Sequence, residues 1–82
     1  MFAHAEPCEA AEFLTTTGKD PGIAPVVEPD GHSQAGFRVI DMHGGQKWYD
    51  VEMFHVLFRE LNAAEAQVLN SPIPHGTPVR FA

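Results

Sequence analysis

The segment from Phe37 to Leu61 constrains this chain more than any other. Phe37 to Met42 alternates with the period of a half-buried strand: Phe37, Val39 and Asp41 fall on one side, Arg38, Ile40 and Met42 on the other. His43-Gly44-Gly45 then reverses the chain, and Gln46 to Tyr49 returns as a second strand. Asp50 is a good helix N-cap type. Beyond it Val51, Phe54, Leu57, Phe58 and Leu61 recur at helical spacing, which predicts a helix over 51–61. A hairpin over about 37–49 followed at once by an amphipathic helix points to an α+β fold, a small antiparallel sheet packed against that helix.

The rest of the chain is fitted around this unit. Its 82 residues make a single domain, 1–82, too short for two independent cores. A single cysteine, Cys8, rules out an internal disulfide framework and fits a reducing, cytoplasmic setting. Met1 to Ala10 carries two acids and no Lys or Arg, unlike a secretory leader. No apolar run nears the roughly 20 residues of a membrane span.

Ala5 to Thr15 reads as a short N-terminal helix, with Pro7 in its first turn and Gly18 as its stop. Asp20-Pro21-Gly22 and Pro29-Asp30-Gly31 are turns. Ile23 to Glu28 is β-branched but holds Pro25, which makes it an edge strand or an extended arm. Asn62 is a second N-cap, for a helix over 63–69, and Ser71-Pro72 and Pro74 break the chain after it. Thr77 to Phe81 is a final strand that Pro78 assigns to a sheet edge. Trp48, Phe37, Val39, Phe54, Leu57, Phe58 and Leu61 are the expected core.

Charge narrows the function. Eleven acids against five Lys and Arg leave a net −6, and the first 36 residues hold six of the acids against Lys19 alone. Direct nucleic-acid binding is disfavoured, since phosphates need a cationic face. Catalytic residue types occur without catalytic spacing: Gly44-Gly45 lacks the phosphate-loop pattern, and Asp41 with His43 reads as turn chemistry. No catalytic residue and no cofactor is assigned. Cys8, His4 and Glu12 follow one another at helical spacing, but there is no CxxC or HxxxH pair, so no metal ligand is assigned.

The helix over 51–61 is apolar over a wider arc than one packing contact requires. The five core-type residues span roughly 120°, and Met53 and Val56 widen the arc towards about 200°, against about 100° for a helix packed once. Tyr49, Met53 and Val56 are therefore the candidate partner-binding edge, being residue types that suit such surfaces. The acidic residues Glu6, Glu9, Glu12 and Glu28 are a second candidate surface, for a basic partner.

The pattern Gly36-Phe37-Arg38-Val39, Gly44-Gly45, Trp48, Phe54, Phe58-Arg59 and Leu61 resembles short phage and prophage proteins of Gram-negative bacteria, over Gly36 to Leu61. The resemblance implies a mobile-element origin, no catalytic residues, and action by binding one host or anti-phage defence protein. The function expected is thus a small acidic protein-binding module that is not an enzyme. The alternatives are a self-associating assembly protein, forming a homodimer through the same edge, and a small metal-binding protein using Cys8 and histidines.

Overall fold

The computed structural model describes residues 2–69 and 76–82. Along the chain run β1 (Phe2–Pro7), α1 (Ala10–Thr17), β2 (Gly36–Asp41), β3 (Gln46–Asp50), α2 (Val51–Leu57), β4 (Phe58–Glu60), α3 (Ala63–Leu69) and β5 (Thr77–Phe81). The strands form one sheet in the order β3-β2-β1-β5-β4, antiparallel throughout. The fold is α+β.

The hairpin forms where its sequence places it. The Gly44 N–H donates to the Asp41 carbonyl and the Asp41 N–H to the Gly45 carbonyl, closing a three-residue loop. Gly44 sits at φ +83°, the left-handed position that such a loop assigns to glycine. The Asp41 carboxylate accepts the N–H groups of His43 and Gly45, both at 2.8 Å, so Asp41 and His43 are joined by turn chemistry.

The N-terminus departs from expectation. Phe2 to Pro7 is not the start of a helix but the central strand, paired with β2 on one side and β5 on the other. Its side chains alternate, and Ala3 and Ala5 are fully buried. Alanine favours helix over strand in isolation, yet small side chains at the middle of the sheet let the aromatic residues above them close in. The helix begins only at Ala10, behind an extended Glu9, and ends at Gly18.

Two further elements correct the sequence reading. The helix expected over 51–61 stops at Leu57, and Phe58 is already extended (φ −124°, ψ 151°). Phe58-Arg59-Glu60 pairs with Phe81-Arg80-Val79 instead. Phe58 is buried in either conformation, so its spacing could not distinguish them. Strand β5 is correctly bounded, but it lies inside the sheet, between β1 and β4. Pro78 is tolerated there because β4 has run out beside it. The Pro78 carbonyl accepts from the Leu61 N–H just past β4, and no strand residue requires the N–H that proline lacks. Ile23–Glu28 forms no strand; a lone bridge joins Val27 to Ser33. The break expected at Ser71-Pro72 and Pro74 lies outside the described residues.

Strand register sorts the sheet into two faces. The face under α2 carries Ala3, Ala5, Val39 and Val79, with Phe54 and Phe58 closing the main core and Phe37, Tyr49 and Leu57 packed around it. The other face carries Arg38 and Trp48, and α1 packs there through Ala10 and Phe13, with Cys8 just before the helix. The Trp48 Nε1–H donates to the Cys8 carbonyl at 2.8 Å. Gly36 lies directly against this indole: a Cβ at that position would overlap the Trp48 ring and the Tyr49 carbonyl. Of the expected core, Trp48, Val39, Phe54 and Phe58 are buried, and Phe37, Leu57 and Leu61 half-buried.

Candidate functional site

The α2 face is the candidate site, because its helix is too short to cover it. Five strands span roughly 19 Å at the usual spacing, while seven helical residues rise about 10 Å. Asp50 fixes the helix start, its Oδ1 accepting the Met53 N–H at 2.7 Å. With that register Phe54 points into the core. It stacks on Phe37 at 4.1 Å and on Phe58 at 5.4 Å, and Phe58 stacks on Phe81 at 4.7 Å. This row of rings anchors α2 from below and leaves its outer residues without work inside the molecule. Met53 is 48% exposed and Val56 67%, and Val51 is also exposed.

Phe58 and Leu61 pass to the following strand and its continuation, but they fell inside the apolar arc of the helix, which Val51 and Val56 still bound. The exposed part of that arc, Met53 and Val56, stays open. Tyr49 belongs elsewhere: it is half-buried on the sheet, its ring edge-on to Phe58 at 5.1 Å. Sequence reasoning grouped it with Met53 and Val56; the structure makes it part of the floor beside the helix.

A groove of about 250 Å³ runs along α2. Ala5, Phe37, Phe54, Phe58 and Val79 supply its apolar part, and His55, Arg59, Glu60 and Thr77 add polar and charged groups. His55 is packed edge-on against both Phe37 and Phe54, at 5.9 and 5.5 Å between ring centres. The groove is an apolar floor rimmed by Arg59 and Glu60, and Met53 and Val56 form a separate apolar edge on the other side of α2.

The acidic candidates do not join this face. By register Glu6 faces the opposite side, where its carboxylate lies 3.5 Å from Arg38 Nε. Glu9 accepts a hydrogen bond from the Ser33 hydroxyl at 3.0 Å. Glu12 is exposed on α1 and Glu28 on the loop that precedes β2. Arg38 is itself a tie between layers. Its guanidinium donates to Thr16 Oγ1 at 2.7 Å and to Gln46 Oε1 at 3.2 Å, and lies over the Phe13 ring.

One charged cluster escaped the sequence reading. Arg59 and Arg80 stand directly opposite each other on β4 and β5, a like-charge pair that would repel if left alone. Glu65 of α3 lies between them, accepting two bonds from Arg59 at 2.8 and 2.9 Å and one from Arg80 at 2.9 Å. Those donors, with the Asn62 N–H, lower the Glu65 pKa to about 2. The Glu65 N–H donates in turn to Asn62 Oδ1, which closes a capping box. The Asn62-x-x-Glu65 spacing carried that signal; the arginine pairing needed strand register and was not visible.

Among the described residues no group of three His, Cys, Asp or Glu side chains could hold a metal ion. Cys8 is buried under α1, with its sulfur 3.4 Å from an Arg38 nitrogen. No helix among the described residues is long and apolar enough to cross a membrane. Comparison with protein families, curated proteins and solved structures finds no match for this chain.

Proposed function

We propose that this protein is a binding module without catalytic activity, which docks one protein partner through the outer side of α2 and the groove beside it. The exposure of Met53 and Val56 carries the reading. Both are large apolar side chains on a two-turn helix whose inward residues already complete the core. Exposed single apolar residues are ordinary, but two on one side of a two-turn helix form a small apolar edge of the kind partner surfaces use, while the groove opens on the other side of α2, by Phe54 and His55. The resemblance of Gly36–Leu61 to small phage proteins directs the first search to a host or anti-phage defence protein in the cytoplasm. The acidic residues Glu12 and Glu28 then act at most in steering a basic partner.

The test is affinity purification from a Gram-negative host lysate with the wild-type chain and with a Met53→Asp/Val56→Asp variant. A protein retained by the first and lost by the second is expected; an identical retained set contradicts the reading. Light scattering of the free protein covers the competing use of the same surface. A monomer at micromolar concentration is expected, and a stable dimer abolished by the double substitution would reassign the face to a second copy.

A further inference from the structure

The chain has five Lys and Arg residues, and their surroundings divide them in two. All three arginines are paired with carboxylates: Arg38 with Glu6, and Arg59 and Arg80 with Glu65. The two lysines, Lys19 and Lys47, have no carboxylate partner among the described residues. Both line the same groove, about 280 Å³ in volume, on the sheet beside the Phe58–Phe81 stack.

The floor of that groove is apolar and aromatic. Val39, Tyr49 and Phe81 form it, and Phe81 is 39% exposed. Lys47 Nζ lies 5.6 Å from the centre of the Tyr49 ring. Lys19 follows the Gly18 stop of α1 and lies by the β2–β3 turn, beside Gly45 and Gln46, where it reaches the groove. Asp41 is the groove's only acid, and its Oδ1 is occupied by the turn N–H groups of His43 and Gly45. Strand β3 ends the sheet on this side, with no further strand paired outside it among the described residues.

We propose that this groove docks an acidic, extended segment of a partner protein, with an apolar side chain seated on Tyr49 and Phe81 and flanking carboxylates against Lys19 and Lys47. Charge complementarity selects this occupant. Two ammonium groups outnumber the one carboxylate of the groove, Asp41, whose charge is turned to the N–H groups of His43 and Gly45, so the groove is net cationic and favours an acidic segment over a basic one although the chain as a whole is acidic. A second copy fits poorly, because a two-fold contact would set each lysine pair against its own copy. The proposal rests on the reading of the protein as a binding module, but it uses side chains other than Met53 and Val56, so the two fail separately.

The experiment titrates the isotopically labelled full chain with two synthetic peptides. One carries a central Phe flanked by Asp and Glu; the other has Lys in place of every acid. Amide shifts at Lys19, Lys47, Tyr49 and Phe81 are expected with the acidic peptide and not with the basic one. A Lys19→Gln/Lys47→Gln variant should bind the acidic peptide about tenfold more weakly or worse, with an unchanged unfolding midpoint because both lysines are exposed. The Met53→Asp/Val56→Asp variant should bind it as the wild type does. Equal shifts with both peptides, shifts confined to another surface, unchanged affinity in the lysine variant, or no shift at millimolar peptide would each overturn the proposal. Retention of a captured protein by wild type but not by the α2 variant, alongside any of those results, would overturn this proposal alone.

Discussion

Replacing Phe54 with alanine should remove about 3–5 kcal/mol of folding free energy, the usual range for a buried phenylalanine. The ring is 8% exposed and bridges the stack from Phe37 to Phe58. Cutting it back to a methyl group removes roughly 100–130 Å² of buried apolar surface, or about 3 kcal/mol at about 25 cal/mol per Å². The two ring contacts add about 0.5–1.5 kcal/mol each, in part already counted in the area. The neighbouring groove opens to solvent, so the vacated space can be wetted and the full cavity penalty does not apply. A domain of this length holds only about 4–12 kcal/mol in all, so the alanine variant loses a large share of its stability. Phe54→Leu, expected to cost about 1–2 kcal/mol, supplies a measurable intermediate. Urea denaturation followed by Trp48 fluorescence reads both. A loss below about 1 kcal/mol for Phe54→Ala would refute the placement of this ring at the centre of the core.

Gly36→Ala should cost about 1–3 kcal/mol and shift Trp48 emission towards the red, because the new methyl displaces the indole from its seat; an unchanged spectrum and midpoint would contradict that packing. Acid should weaken the clamp on α3. The Glu65 pKa falls on folding from an ordinary 4.5 to about 2, so its contribution is complete above the unfolded value and is lost as pH falls through the folded one. Thermal midpoints measured between pH 5 and pH 2 should therefore decline more steeply for the wild type than for Glu65→Gln. Parallel curves would show that the carboxylate is not held by Arg59 and Arg80. Asp41, whose pKa the Gly45 and His43 N–H groups also lower, contributes in the same direction in both proteins and cancels from the comparison.

Local chemistry was legible wherever one short stretch decided the outcome. Asp41 to Gly45 contains its own turn, Asp50 caps the helix that follows it, and Asn62 with Glu65 caps α3. These elements need no distant partner. Phe2–Pro7 and Phe58–Glu60 do. The first is a strand only because β2 and β5 flank it, against the helical preference of its alanines and the helix-start look of Pro7. The second has a buried Phe58 under either assignment and is decided by its pairing with β5. Pro78 misled for a related reason: its missing N–H falls opposite Leu61, where β4 has ended and only the Leu61 N–H bond to the Pro78 carbonyl is made, so no strand pairing is lost. The candidate site was partly legible. Surplus apolar perimeter at Met53 and Val56 follows from helical spacing, and Tyr49 was already on a strand, but setting its ring against Phe58 and Glu6 beside Arg38 required the register of the strands.

Calorimetric titration of the purified partner into wild-type protein and into Met53→Asp/Val56→Asp is the most direct test of whether the outer side of α2 is a docking surface. Both side chains are exposed, so the variant should unfold at the wild-type midpoint while its affinity falls by about 30-fold or more, the loss expected when central interface contacts are removed. Affinity within about twofold of wild type, in a variant shown to be folded, would place the partner on some other part of the molecule.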